Sequence, residues 1–181
     1  MLMKMIADLH IHSRFSMATS KEGTPENLDF WARKKGISLI GTGDFTHPVW
    51  REELKERLVS EGNGLYRLRD EYVKEESRKF PGEGTHFVVS GEISSIYKKN
   101  GKTRKIHNVI LLPSLEAADA MAQRLEKIGN IHSDGRPILG LDSHDLLEMM
   151  LDVCPEGILI PAHIWTPHFS VLGAKSGFDS V

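Results

Sequence analysis

An α/β fold, built from βα units around a mostly parallel sheet, is what this sequence predicts. Two observations predict it. Short apolar runs alternate with capped, amphipathic segments along the 181 residues. The ends of those runs carry metal-binding residue types: His10 and His12, then Asp44, Glu92, His107 and His163. In barrels of βα units the chemistry sits at the C-terminal ends of the strands.

The elements follow in order. Residues 5–12 read as a first strand running into "DLHIHSRFS". In "TPENLDFWARKKG", Thr24 is the N-cap, Pro25 takes the first helical position and Gly36 is the stop, with Leu28, Trp31, Ala32 and Lys35 sharing a face. "ISLIGTGD" is a short apolar strand ending at Asp44. Residues 50–60 and 65–79 are charged and read as two helices broken by "EGNG", and "FPGEG" is a loop. The stretch from Thr85 to Pro113 reads as two strands about Asn100-Gly101, a type I′ hairpin signal. "SLEAADAMAQRLEKIG" is an amphipathic helix capped by Ser114, with Leu115, Ala118, Leu125 and Ile128 on its stripe and Gly129 as its end. "GNIHSDGRP" is a loop, "DSHDLLEMMLDVCP" a helix capped near Ser143, and "EGILIPAHIW" a buried strand ending at His163.

Composition narrows the class. With 40% hydrophobic and 27% charged residues, disorder, collagen and coiled coil are poor descriptions. The formal charge of -2 confines any nucleic-acid contact to a local basic patch. Cys154 is the only cysteine, so no internal disulfide forms and a reducing, cytoplasmic setting is expected. The opening "MLMKMIADLH" is too short an apolar run for a signal peptide, and no stretch reaches a membrane span, so no membrane partner is expected. Cys154, at a helix end beside Pro155, reads as a small core residue rather than a nucleophile.

The chemistry is in the spacing. On extended backbone Asp8, His10 and His12 point to one face, which puts two imidazoles and an acid together. Glu92 follows an apolar strand and Gly91, as a carboxylate bridging two cations would. His107 lies across the hairpin, and His163 ends the last strand. Such a cluster suits hydrolysis of phosphoesters: one cation lowers the pKa of a bound water toward ~7 and a second, roughly 3.5–4 Å away, stabilises the leaving oxygen. Lys98, Lys99, Lys102, Arg104 and Lys105 crowd the hairpin tip. They read equally as a phosphate-binding patch or as a solvated edge protected from aggregation. Trp50 and Trp165 flank the metal motifs; core packing is the favoured reading for both, base stacking the other.

Taken in order, "DLHIHSRFS", "GTGDFTHP", "GEISSIY", "HNVILLP" and "PAHIWTPHFS" resemble the polymerase and histidinol phosphatase (PHP) superfamily, and more narrowly the N-terminal part of the endonuclease Q family. The resemblance covers the whole chain, taken as one domain, 1–181. It implies a distorted (β/α)7 barrel, incomplete here at the C-terminus because no Asp-x-His segment follows His163. It implies two or three divalent ions, zinc or manganese, with magnesium the further choice. His10 and His12 would hold the first, Glu92 would bridge, His107 and His163 would hold the second, and Asp8 would orient an imidazole. Asp44 and His47 are the candidate catalytic pair. The chain departs from the family where Thr19 falls near an expected ligand and Phe45 replaces the His after Asp44. The implied activity is cleavage of DNA on the 5′ side of deaminated bases or abasic sites, aided by a C-terminal domain of the full-length protein. A PHP phosphatase acting on a small phosphomonoester, and a non-catalytic, metal-stabilised PHP domain, are the alternatives.

Overall fold

The computed structural model describes residues 5–180. The ends of the 1–181 span, including the first four residues of the leader reading, lie outside the described residues.

The spine of the molecule is one 14-residue strand, β5 (His86–Lys99). Its first residues are flanked by β2 (Leu39–Gly41) in parallel and β4 (Leu65–Leu68) in antiparallel. Its later residues pair with β6 (Lys102–Leu112) and, in parallel, with β7 (Ile138–Leu139). Outside these, β1 (Ala7–Asp8) adds parallel to β2, β3 (Leu58–Gly62) closes a hairpin on β4, and β8 (Ile158–Pro161) lies antiparallel on β6. The sheet is therefore mixed rather than mostly parallel, a curled half-barrel. The cause is local: Asn63-Gly64 and Asn100-Gly101 both adopt positive φ (53° and 78°, 53° and 72°), so each makes a tight turn that returns the chain antiparallel.

Four α-helices occur among the described residues: α1 (Pro25–Lys35), α2 (Pro48–Arg57), α3 (Leu115–Glu126) and α4 (Ser143–Val153). Thr24 caps α1 by accepting from the Asn27 amide, and Gly36 closes it in the left-handed region at φ 72°. Ser114 caps α3 and Asp142, one residue before the expected Ser143, caps α4.

Several expectations are corrected. Residues 65–79 are not a helix. Leu65–Leu68 is a strand, followed by short 3-10 turns at Asp70–Tyr72 and Ser77–Lys79. The first strand is shorter than 5–12, and the last ends at Pro161 as a largely exposed edge rather than a buried strand. Trp31 is exposed on α1, and Ile128 is exposed two residues past the end of α3. Trp50 is wholly buried and donates its indole N–H to the Gly43 carbonyl at 2.8 Å, so it packs the core. Cys154 is likewise a buried core residue. No helix among the described residues is long and apolar enough to cross a membrane.

Phe87, fully buried, stands in register with Ile40 of β2 and Tyr66 of β4, where the two halves of the sheet meet. Phe87→Ala is expected to cost about 3–5 kcal/mol in urea denaturation. A loss under about 1 kcal/mol would contradict the role of this junction.

Candidate metal centre

Glu92 projects from β5 with 2% of its surface exposed. A lone buried carboxylate is costly, so the fold surrounds it with nitrogen. His10 Nε2 lies 3.0 Å from its Oε1, His107 Nδ1 2.9 Å and His163 Nε2 3.5 Å, while His12 Nε2 lies 3.4 Å from Oε2. His10 and His12 arrive on extended chain beyond β1, His107 from β6, and His163 just past the end of β8. Folding thus gathers all five predicted metal residues, as two triads that share Glu92: His10, His12, Glu92, and Glu92, His107, His163.

The residues fit divalent ions. Despite its close nitrogens, Glu92 Oε1 makes no hydrogen bond of acceptable direction among the described residues. Imidazole nitrogens crowded about an oxygen without donating to it are placed to share ions with that oxygen. Zinc–nitrogen bonds of about 2.0–2.1 Å at tetrahedral angles set ligand atoms roughly 3.4 Å apart. His107 Nδ1 and His163 Nε2 stand 3.3 Å apart. Burial pulls the Glu92 carboxyl upward, but the approach of His10, His107 and His12 outweighs it and holds the group well below the usual carboxylate range.

A second layer of contacts aims the imidazoles. Asp44 is fully buried and accepts from His12 Nδ1 (3.0 Å), the Ser13 amide (2.7 Å) and the hydroxyls of Ser13 (2.7 Å) and Ser16 (2.9 Å). A carboxylate only accepts, so His12 carries its proton on Nδ1 and presents Nε2 to the basin. Asp44 reaches this position with φ 50°, a strained conformation, and Gly135 packs so closely that a Cβ there would lie 2.3 Å from Asp44 Oδ2. His163, also at positive φ (32°), is held through Nδ1 by the Thr166 hydroxyl at 3.0 Å. The His107 ring packs against Phe169 with centroids 4.6 Å apart.

Other predicted residues lie elsewhere. Asp8 is exposed and makes no side-chain hydrogen bond among the described residues; Asp44 does the orienting expected of it. His47 stacks on Phe15 at 4.2 Å, belongs to neither triad, and is held below the ordinary imidazole value by burial. The Thr19 hydroxyl is taken up by the Ser13 and Ser16 carbonyls, and Phe45 is fully buried, so neither offers a ligand for a third ion. On the hairpin, Lys98 and Lys102 are exposed, whereas Lys99 pairs with Asp142 at 2.7 Å and Lys105 lies over Phe169. Arg104 is buried, bonded to the Gly177 carbonyl and stacked on Phe178, which removes it from any phosphate patch. Trp165 is 76% exposed. Arg136, whose Nη1 lies 3.4 Å from Glu92 Oε2, is the residue the sequence does not flag. Its loop shows only turn chemistry, and nothing in that spacing points to the basin.

No family model matches the chain. Over 175 residues it is 33% identical to the uncharacterized protein MJ0043 of Methanocaldococcus jannaschii, covering 96% of this chain and 18% of that one. It is 29% identical over 195 residues to the uncharacterized protein YqxK of Bacillus subtilis, covering 98% and 45%. In three dimensions it is similar to the lesion-specific endonuclease PfuEndoQ from Pyrococcus furiosus, with a TM-score of 0.76 and 28% identity over 97% of this chain and 38% of that one. It is also similar to an endonuclease Q bound to a 27-mer duplex with an abasic lesion at the active site, with a TM-score of 0.74 and the same identity and coverage. The chain thus spans less than half the length of these relatives.

His12 supplies a test. Hydrogen bonds to Asp44 first and Glu92 second raise its pKa to about 9, so the metal-free protein holds a proton there at neutral pH. A ligand imidazole must be neutral. Zinc binding should therefore release a proton from His12 and strengthen by about tenfold per pH unit until pH passes 9. Calorimetry in buffers of different ionisation enthalpy reads the proton count. Asp44→Asn should lower the count near pH 7, and an unchanged count would contradict the assignment.

Proposed function

We propose that the chain is the N-terminal, PHP-type portion of an endonuclease Q-like DNA repair enzyme, a metal-dependent phosphodiesterase cutting 5′ of deaminated bases or abasic sites. The observation that carries this reading is the buried Glu92 carboxylate ringed by four imidazole nitrogens within 3.5 Å. The likeness to endonuclease structures, one bound to a lesion duplex, supports DNA as the substrate class.

His10 and His12 would hold one ion, His107 and His163 a second, with Glu92 between them. Zinc or manganese suits this imidazole-rich set, and magnesium suits it less. Such a pair of ions supplies an activated water and stabilises charge on the leaving oxygen. The protein's share is placement. Asp44 locks the His12 tautomer; the Thr166 hydroxyl, which donates to the His163 and His168 carbonyls, accepts from His163 Nδ1; and the Ser13 and Ser16 contacts stop Asp44 from turning away. Asp44 is therefore read as a positioning residue, and His47 as a packed one.

Two surfaces favour a polymer over a small ester. The β5–β6 hairpin runs some seven residues, ~23 Å, from Glu92 to Lys99, and presents Lys98 and Lys102 to solvent. Trp165 lies two residues from His163, its ring bare for stacking on a base. A further C-terminal portion is part of the proposal. Ile158 and Ile160, on edge strand β8, are 55% and 40% exposed, an edge suited to being covered by further strands. A cytoplasmic site of action fits the single buried thiol.

The test is an end-labelled duplex carrying one uracil or one abasic site, incubated with the full-length protein and manganese. A single nick on the 5′ side of the lesion, abolished by Glu92→Gln, is expected. Phosphate release from small esters without any nick would move the assignment to a phosphatase.

A further inference from the structure

Arg136 brings a guanidinium to the mouth of the basin. Its guanidinium reaches Glu92 Oε2, and its side chain is 36% exposed, level with His10 at 37% and His163 at 33%, while Glu92 beneath them is 1% exposed. These three side chains form the open rim of the basin. The placement is enforced from both sides. The Gly135 amide donates to the Phe15 carbonyl, Thr46 donates to the Gly135 carbonyl, the Arg136 amide donates to Asp134, and the Ser94 amide of β5 donates to the Pro137 carbonyl. Gly135 also abuts Asp44, so the loop that carries Arg136 is seated on the carboxylate that aims His12.

Charge then decides its purpose. The imidazoles are neutral when they act as ligands, and Glu92 is the single anion among them. Divalent ions in the two triads would leave the basin strongly cationic, and a guanidinium beside them would add repulsion. Glu92 would have no need of a further positive partner. A planar fork with five donors, of which one meets Glu92, is matched to an incoming tetrahedral anion with oxygens to share. From this geometry we infer that Arg136 is the phosphoryl-binding residue of the site and takes a non-bridging oxygen of the substrate phosphate. The inference rests on the phosphoesterase reading above but is indifferent to whether the ester is DNA.

The test is titration of the manganese-loaded chain with inorganic phosphate, followed by calorimetry, for the wild type, Arg136→Ala and Arg136→Lys. Loss of a charge-assisted contact should weaken phosphate by about 10- to 100-fold in Arg136→Ala, with Arg136→Lys in between. Manganese stoichiometry should be unchanged and Tm should move by no more than about 3 °C. Wild-type protein that binds no phosphate, or an Arg136→Ala affinity within about twofold of wild type, overturns the proposal. Loss of manganese in both variants also overturns it, because Arg136 would then be a structural partner of Glu92. Arginine-dependent phosphate binding in a protein that cuts no lesion duplex would keep this inference and discard the endonuclease reading.

Discussion

A carboxylate buried to 2% exposure must be compensated, and in this protein everything about the basin follows from compensating Glu92. Removing an ionised acid from water costs several kcal/mol unless partners replace the lost solvation. Here the partners are four imidazoles, which are neutral as ligands, and one half-exposed guanidinium, Arg136, at 3.4 Å. Cations in the two triads would complete the compensation. The crowding of His10, His107 and His163 onto one oxygen that forms no well-directed hydrogen bond is the signature of a site shaped for ions.

The fold converges chain segments on that one side chain. Strand β5 carries Glu92 in the interior and at the same time joins both halves of the sheet, so the acid sits on the most constrained strand of the molecule. The histidines come from segments that differ widely in sequence position, and three of the four are steadied by a contact of their own: Asp44 for His12, Thr166 for His163, Phe169 for His107. Two non-glycine residues at positive φ, Asp44 and His163, belong to this arrangement. Strain at Asp44 is sustained by buried hydrogen bonds from Ser13 and Ser16, and at His163 by exposed bonds to Thr166.

Much of this is legible in the sequence, and the rest is hidden for physical reasons. His10, His12 and His163 are legible because each lies just beyond a short strand, whereas Glu92 and His107 sit inside β5 and β6 rather than at strand ends, and only their residue types beside apolar runs mark them. The Asn100-Gly101 hairpin is legible because its turn chemistry is specific. The hairpin at Asn63-Gly64 carries the same signal, but the charged flanks around it suggest helix, and only the alternation of Tyr66 and Leu68 toward the core resolves it. Reading the sheet as mostly parallel follows from strand–helix alternation, which outweighs the one hairpin legible at Asn100-Gly101 and is blind to the turn at Asn63-Gly64. Arg104 is a basic residue in a basic run, and its burial against Phe178 depends on a segment more than 70 positions away. Arg136 is invisible for the same reason: nothing local says that its loop docks on Asp44.

The account stands or falls on cations lying beside Glu92. Anomalous diffraction from crystals grown with zinc tests it without reference to activity. The predicted result is a peak on each side of the carboxylate, one among His10 and His12 and one among His107 and His163, each about 2.0–2.2 Å from a Glu92 oxygen. Zinc found only on the exposed His144, Asp145 and Glu148 group, with none beside Glu92, would contradict it.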